Sequence, residues 1–191
     1  SYTLDNIITY DRSYKENTIG LTLLQTQTEY HAEGSSISAR GIPFASQKWN
    51  ALTNGNISSL NTWNSSLTES QLKSYMGRLN YDLSNKYFLT VSGRWDGASQ
   101  LAPGHKWDFF PSMAVGWMIN SENFLSKIKA IDLLKIRLGV GTTGNSAISP
   151  YSTEGGVQSL FYPYGSTATS GSIPSSTMAN KDVGWEKTTQ Y

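Results

Sequence analysis

The sequence predicts an all-β chain: an open arc of about six to seven antiparallel strands in up-and-down order. It is expected to be part of a transmembrane β-barrel, with long outer loops and one short periplasmic helix. Three observations predict this. Hydrophobic residues alternate with period two, short and long connections alternate along the chain, and the surface is short of charge. Charged residues make up 15% of the 191 residues, against about 25% in ordinary soluble domains. Aromatics nevertheless reach 12%.

Each element follows from its pattern. Leu4 to Arg12 and Thr18 to Tyr30 read as a hairpin turned at Ser13 to Asn17. The clearest hairpin is Ser74–Asp82 with Tyr87–Asp96, turned at Leu83-Ser84-Asn85-Lys86. Its apolar face carries Tyr75, Gly77, Leu79, Tyr81, Tyr87, Leu89, Val91, Gly93 and Trp95. Its other face carries Arg78, Asn80, Asp82, Thr90, Ser92, Arg94 and Asp96. Successive strand side chains point to opposite faces, so one surface is apolar and the other wet. Ser112 to Asn120 alternates Met113, Val115, Trp117 and Ile119 with mostly small residues, and Leu134 to Thr142 does the same with Leu134, Ile136, Leu138 and Val140. Between them Ser121 is placed to cap a helix, with Phe124, Ile128 and Ile131 on one side of it. A last strand begins near Trp185.

Residues 13–17, 83–86 and 121–133 are short or compact connections, whereas 31–70, 97–111 and 143–184 are long and rich in Gly, Ser and Asn. In an up-and-down sheet all the short connections then lie at one end, as in bacterial outer-membrane barrels. Period two alone fits a soluble β-sandwich equally well, with the apolar faces turned inward. Aromatic placement favours lipid. Tyr87 and Trp95 bracket an apolar stretch of one face, about 27 Å apart along a strand. Tilted by about 40°, this spans roughly 21 Å of height, close to the ~25 Å band between aromatic girdles. Six strands and part of a seventh cannot close such a barrel, which needs about eight, and open edges in lipid leave backbone groups unpaired. Residues 1–191 are therefore expected to be one part of a larger barrel. The opening Ser1-Tyr2-Thr3-Leu4 carries no signal-peptide pattern, as expected of a processed chain or an internal segment.

Composition excludes several classes. A net charge of +1 lacks the basic footprint of nucleic-acid binders. The absence of cysteine removes disulfides, thiolate zinc sites and a cysteine nucleophile. His31 and His105 fall in expected loops without ligand spacing, so no metal or other cofactor is expected. Gly139-Val140-Gly141-Thr142-Thr143-Gly144 matches G-x-G-x-x-G, but no amphipathic helix follows it, and a nucleotide site is not expected. No nucleophile elbow is present, and the chain is not expected to be an enzyme.

The segment Ser74-Tyr75-Met76-Gly77-Arg78-Leu79-Asn80-Tyr81-Asp82 is followed by Asn85-Lys86-Tyr87 and Arg94-Trp95-Asp96-Gly97-Ala98-Ser99. Then come Pro103-Gly104-His105-Lys106-Trp107, Phe110-Pro111-Ser112, Gly116-Trp117, Leu134-Lys135-Ile136-Arg137, Thr143-Gly144-Asn145 and Trp185-Glu186-Lys187-Thr188-Thr189-Gln190. In this order the series resembles the SusC/RagA family of TonB-dependent outer-membrane transporters of Bacteroidetes. Residues 1–73 match only in strand pattern. The resemblance implies a 22-stranded barrel in the outer membrane, with a plug domain and a TonB box lying outside this chain. It implies nutrient import of oligosaccharide or peptide, with a SusD-like surface lipoprotein as lid. Gln100-Leu101 departs from the family pattern in what reads as a variable outer loop.

Against that background Arg78, Asp82, Arg94, Asp96 and Arg137 are the residues expected to face the lumen. They are expected to pair across strands, and to contact the plug if they do more. Trp49, Trp63, Trp107, Phe110 and Tyr162, with Phe109, Phe161 and Tyr164, fall in expected outer loops as candidate contacts for cargo or lid. The alternative function is a soluble β-rich glycan-binding module or surface adhesin, for which the same aromatics would stack on sugars.

Overall fold

A computed structural model of the chain describes residues 1–55, 62–125, 132–164 and 167–191. Seven strands form one sheet: β1 (Tyr2–Tyr14), β2 (Asn17–Ser38), β3 (Thr62–Leu83), β4 (Tyr87–Ala98), β5 (Trp107–Met118), β6 (Lys135–Asn145) and β9 (Glu186–Gln190). Their order in the sheet is the order in the chain, and β1–β2, β3–β4, β4–β5, β5–β6 and β6–β9 pair antiparallel. The sheet does not close, because β1 and β9 are its two edges. A separate hairpin, β7 (Val157–Tyr164) with β8 (Thr167–Pro174), lies within the long connection expected over 143–184.

The chain divides into two compact units. One holds Ser1 and Tyr30–Glu69, including the outer ends of β2 and β3 and a 3₁₀ segment over Ala45–Asn54. The other holds Tyr2–Glu29 and Ser70–Tyr191. Strands run further than alternation indicates. β2 continues to Ser38 and β3 begins at Thr62, which shortens the expected irregular stretch 31–70. Residues without an alternating pattern still extend when a neighbouring strand satisfies their backbone groups.

Cross-strand register lines up the two faces. Tyr75, Trp95 and Phe109 stand in one row, Leu79, Val91, Met113 and Val140 in another, and Tyr87, Trp117 and Ile136 in a third. These apolar side chains are open. Val91 is 40% exposed and Leu138 67%. Buried hydrophobic side chains among the described residues are only Ala98, Leu101, Ala102, Phe110 and Ile119. The chain exposes 14509 Å², whereas a compact soluble protein of its mass exposes about 9,000 Å². A sandwich would cover Val91 and Ile136 with a second sheet, and among the described residues none does. The fold is therefore the open barrel segment.

The two short turns are joined at the same end of the sheet. Lys15 opens the β1–β2 turn with φ 53°, and Ser84 and Asn85 turn β3 into β4 with φ 56° and 54°. The Asn85 amide donates to Asp82 Oδ1 at 2.8 Å, the Asx geometry that favours a left-handed turn. Ser84 ties the turns together, its amide donating to the Glu16 carbonyl and its hydroxyl to Glu16 Oε2 at 2.7 Å. After β5 a 3₁₀ turn runs over Ile119–Ser121, and most of the expected helix lies outside the described residues. Ser121 ends that turn rather than capping a helix. Ile128 and Ile131 lie outside the described residues. Asn120 closes the connection by accepting from the Leu134 amide and donating to the Asp132 carbonyl.

Candidate functional site

The polar face of β3–β6 forms an open basin of about 1130 Å³. Arg78, Asn80, Thr90, Ser92, Arg94, Asp96, Ser112 and Arg137 line it, together with Phe110 and Trp185. Every second residue of these strands reaches it, so its chemistry follows from strand parity. Thr90 donates to Asn80 at 3.0 Å, and the Ser92 and Ser112 hydroxyls meet at 2.7 Å. Arg94 Nε donates to Asp96 Oδ1 at 2.6 Å, and Nη2 donates to the buried Ser74 hydroxyl at 3.1 Å. Arg94 is thus fixed, with its guanidinium tethered along the wall. Small residues floor the β5–β6 side, where Gly139 and Gly141 face Ala114 and Ser112. The glycines of the G-x-G-x-x-G match lie in β6 and the first two flatten this wall.

Of the five residues expected on the lumen face, the structure places Arg78, Arg94, Asp96 and Arg137 around the basin. Asp82 keeps the strand parity of Asn80 but sits at the turn end of β3, where its Oδ1 accepts from the Asn85 amide.

The loop aromatics separate into three groups. Trp107 is not in a loop: it opens β5 on the apolar face, 5.1 Å from the Trp95 ring and 6.1 Å from Tyr75. The antiparallel register carries β5 back to Gly97, so Trp107 joins an aromatic band instead. Phe109 pairs with Trp95 in the neighbouring row of that band. Phe110, one residue on, takes the opposite face. It is buried, with its ring edge-on to Trp185 at 5.2 Å. Trp49 and Tyr162 remain exposed outside the seven-stranded sheet, Trp49 at 76% in the 3₁₀ segment and Tyr162 on β7 beside the exposed Phe161. Trp63 belongs to β3 rather than to a loop, and its side chain lies outside the described residues, as does that of Tyr164.

Three residues matter that alternation alone does not single out. Leu101 is fully buried in the β4–β5 connection, where the Ala102 amide donates to the Val183 carbonyl. Its position beside Gly-Ala-Ser signals a turn, not a core. Trp185 donates its indole N–H to the Lys106 carbonyl at 3.0 Å. Glu122, just after β5, collects the opposite rim. Tyr87 donates to Oε1 at 2.7 Å, Trp117 Nε1 to the same oxygen at 3.2 Å, and Lys86 Nζ lies 3.3 Å from Oε2. Tyrosine and tryptophan tips hydrogen-bonded to one carboxylate suit an interface that is apolar on one side and wet on the other.

The Tyr87 hydroxyl, then the Trp117 indole and Lys86, hold the Glu122 carboxyl below its usual range. A lowered carboxylate favours the folded rim above the ordinary carboxylate pKa, and this contribution is lost as pH falls through the lowered value. Acidification is expected to release the Trp117 indole, and Glu122→Gln to remove that step. Fluorine NMR of 5-fluorotryptophan receptor, with the Trp117 resonance assigned through Trp117→Phe, would follow it. An identical acid titration in the variant would refute the assignment.

No family model matches the chain. It is 42% identical over 129 residues to TonB-dependent receptor SusC of Bacteroides thetaiotaomicron, covering 65% of this chain and 13% of that protein. TonB-dependent receptor P3 of Formosa agariphila is 31% identical over 186 residues, covering 97% of this chain and 18% of that protein. Among solved structures, the RagAB peptide transporter superposes with a TM-score of 0.81 at 26% identity. That match covers 97% of this chain and 20% of the other. The chain therefore spans a fifth or less of the length of these relatives.

Proposed function

This chain is a β-barrel segment of the SusC/RagA family of TonB-dependent receptors, and from that premise we propose that the whole protein imports nutrients across the bacterial outer membrane. The observation that carries this is the two-faced sheet. Its apolar rows from Tyr75–Trp95–Phe109 to Tyr87–Trp117–Ile136 are uncovered, while its opposite face is a hydrogen-bonded polar basin. Hydrocarbon outside and water inside satisfy both faces at once. The relatives are named as receptors and transporters, consistent with a non-enzyme.

The cargo is oligosaccharide or peptide, delivered under a SusD-like lipoprotein and driven through TonB. Exposed Trp49 and Tyr162 serve cargo or lid, whereas Arg78, Arg94, Asp96 and Arg137 face the plug. Single cysteines at Leu89 and Val91 of the whole receptor should react with lipid-phase probes, and one at Thr90 with water-soluble maleimide. The reverse pattern would refute the orientation. Arg94→Leu is expected to leave the barrel assembled while raising its leak conductance in planar bilayers, through loss of a fixed charge facing the plug. Wild-type conductance in that variant would remove Arg94 from the role.

A further inference from the structure

Two carboxylates converge on one imidazole where β2 and β3 run beyond the apolar rows. His31 Nδ1 lies 2.9 Å from Glu69 Oε1, and Nε2 lies 3.0 Å from Glu33 Oε1. A neutral imidazole carries a single N–H. It could donate to one carboxylate only, and would turn a lone pair toward the other. Both contacts are satisfied together only by the imidazolium. We propose that His31 is a proton-operated clamp, which as a cation ties the outer ends of β2 and β3 together and on losing its proton releases them.

The surroundings favour a cation. Along β2 the residues two positions to either side, on the same face, are Glu29 and Glu33. On β3 the corresponding positions are Leu67, Glu69, Gln71 and then Lys73. β1 reaches β2 as far as Tyr2 opposite Glu29, whose carboxylate accepts from the Gln27 side chain at 2.8 Å. Along these strand faces the acids Glu29, Glu33 and Glu69 outnumber the single cation Lys73. The hydrogen bond to Glu69, followed by that to Glu33, raises the His31 pKa. A raised histidine pKa means that the tie is complete below the ordinary value of about 6.5 and is lost as pH rises through the raised one. The group is solvent-exposed, so the effect is modest and local.

The tie lies in the same compact unit as the 3₁₀ segment that presents Trp49. In the importer reading, on which the orientation of this end rests, the clamp stiffens an outer loop under mildly acidic conditions. The test does not depend on transport. Hydrogen exchange of the whole receptor, corrected for intrinsic rates, would compare about pH 6 with about pH 8.5, a window that spans histidine titration. Peptides covering 29–33 and 67–71 are expected to open several-fold more readily at the higher pH, with the β4–β5 strands unchanged. His31→Gln should abolish the difference, and His31→Lys, a cation at both pH values, should stay closed throughout. A wild-type receptor without the difference, a His31→Gln variant that retains it, or loosening of every strand together would overturn the clamp. Failure of import with the exchange pattern intact would bear on the importer reading alone.

Discussion

Val91→Arg is expected to prevent stable insertion of the receptor's barrel, at a cost of about 2–4 kcal/mol for a cation on the lipid face near mid-membrane. Val91 sits in the row Leu79–Val91–Met113–Val140, midway between the aromatic rows at either rim. An arginine here would reach neither interface easily and would meet no acid across the sheet. Ser92→Arg, one residue further along, is expected to fold. Its side chain enters the basin, where the cost is the Ser92–Ser112 hydrogen bond, roughly 1 kcal/mol. Urea unfolding and the heat-modifiable gel mobility of the two whole receptors would compare them. Equal stabilities would mean that the face assignment is wrong, because a shift of one residue exchanges the two surfaces.

Leu101→Ala is expected to destabilise the outer β4–β5 connection by about 2–5 kcal/mol, the range for removing a fully buried leucine side chain. Leu101 is 1% exposed and lies between Ala98 and Ala102, both equally hidden. The connection is knitted by the Ala98 amide to the Lys106 carbonyl and the Ala102 amide to the Val183 carbonyl, so two distant loops share the loss. Residues 98–106 and 182–185 are expected to gain hydrogen exchange and protease sensitivity together. The strands should keep wild-type protection, since their ladders do not depend on Leu101. Unchanged protection in both loops would show that the pocket closes around alanine without cost. A residue that departs from the family pattern is here part of the packing.

Much of this protein is legible along the chain. Alternation in Ser74–Asp96 is a local property, fixed by the geometry of the extended backbone, so it assigned two faces and the basin residues Arg78, Arg94 and Asp96 without knowledge of any partner strand. The antiparallel order followed from short connections. Other features arise only when distant segments meet. The strands outrun their alternating cores because neighbours complete the backbone hydrogen bonds, and that extension moved Trp107 from an expected loop into the aromatic band. The Asn85 amide's bond to the Asp82 carboxylate appears only once the β3–β4 turn has formed. The connection that holds Leu101 is bonded to the Val183 carbonyl through Ala102, and the grouping of Lys86 and Tyr87 on Glu122 joins residues about 35 positions apart. Sequence determined which side of each strand is greasy, since parity is set residue by residue. Tertiary structure decided where strands end, which loop residue is core and which carboxylate holds a rim, since those depend on what the folded chain brings within hydrogen-bonding reach.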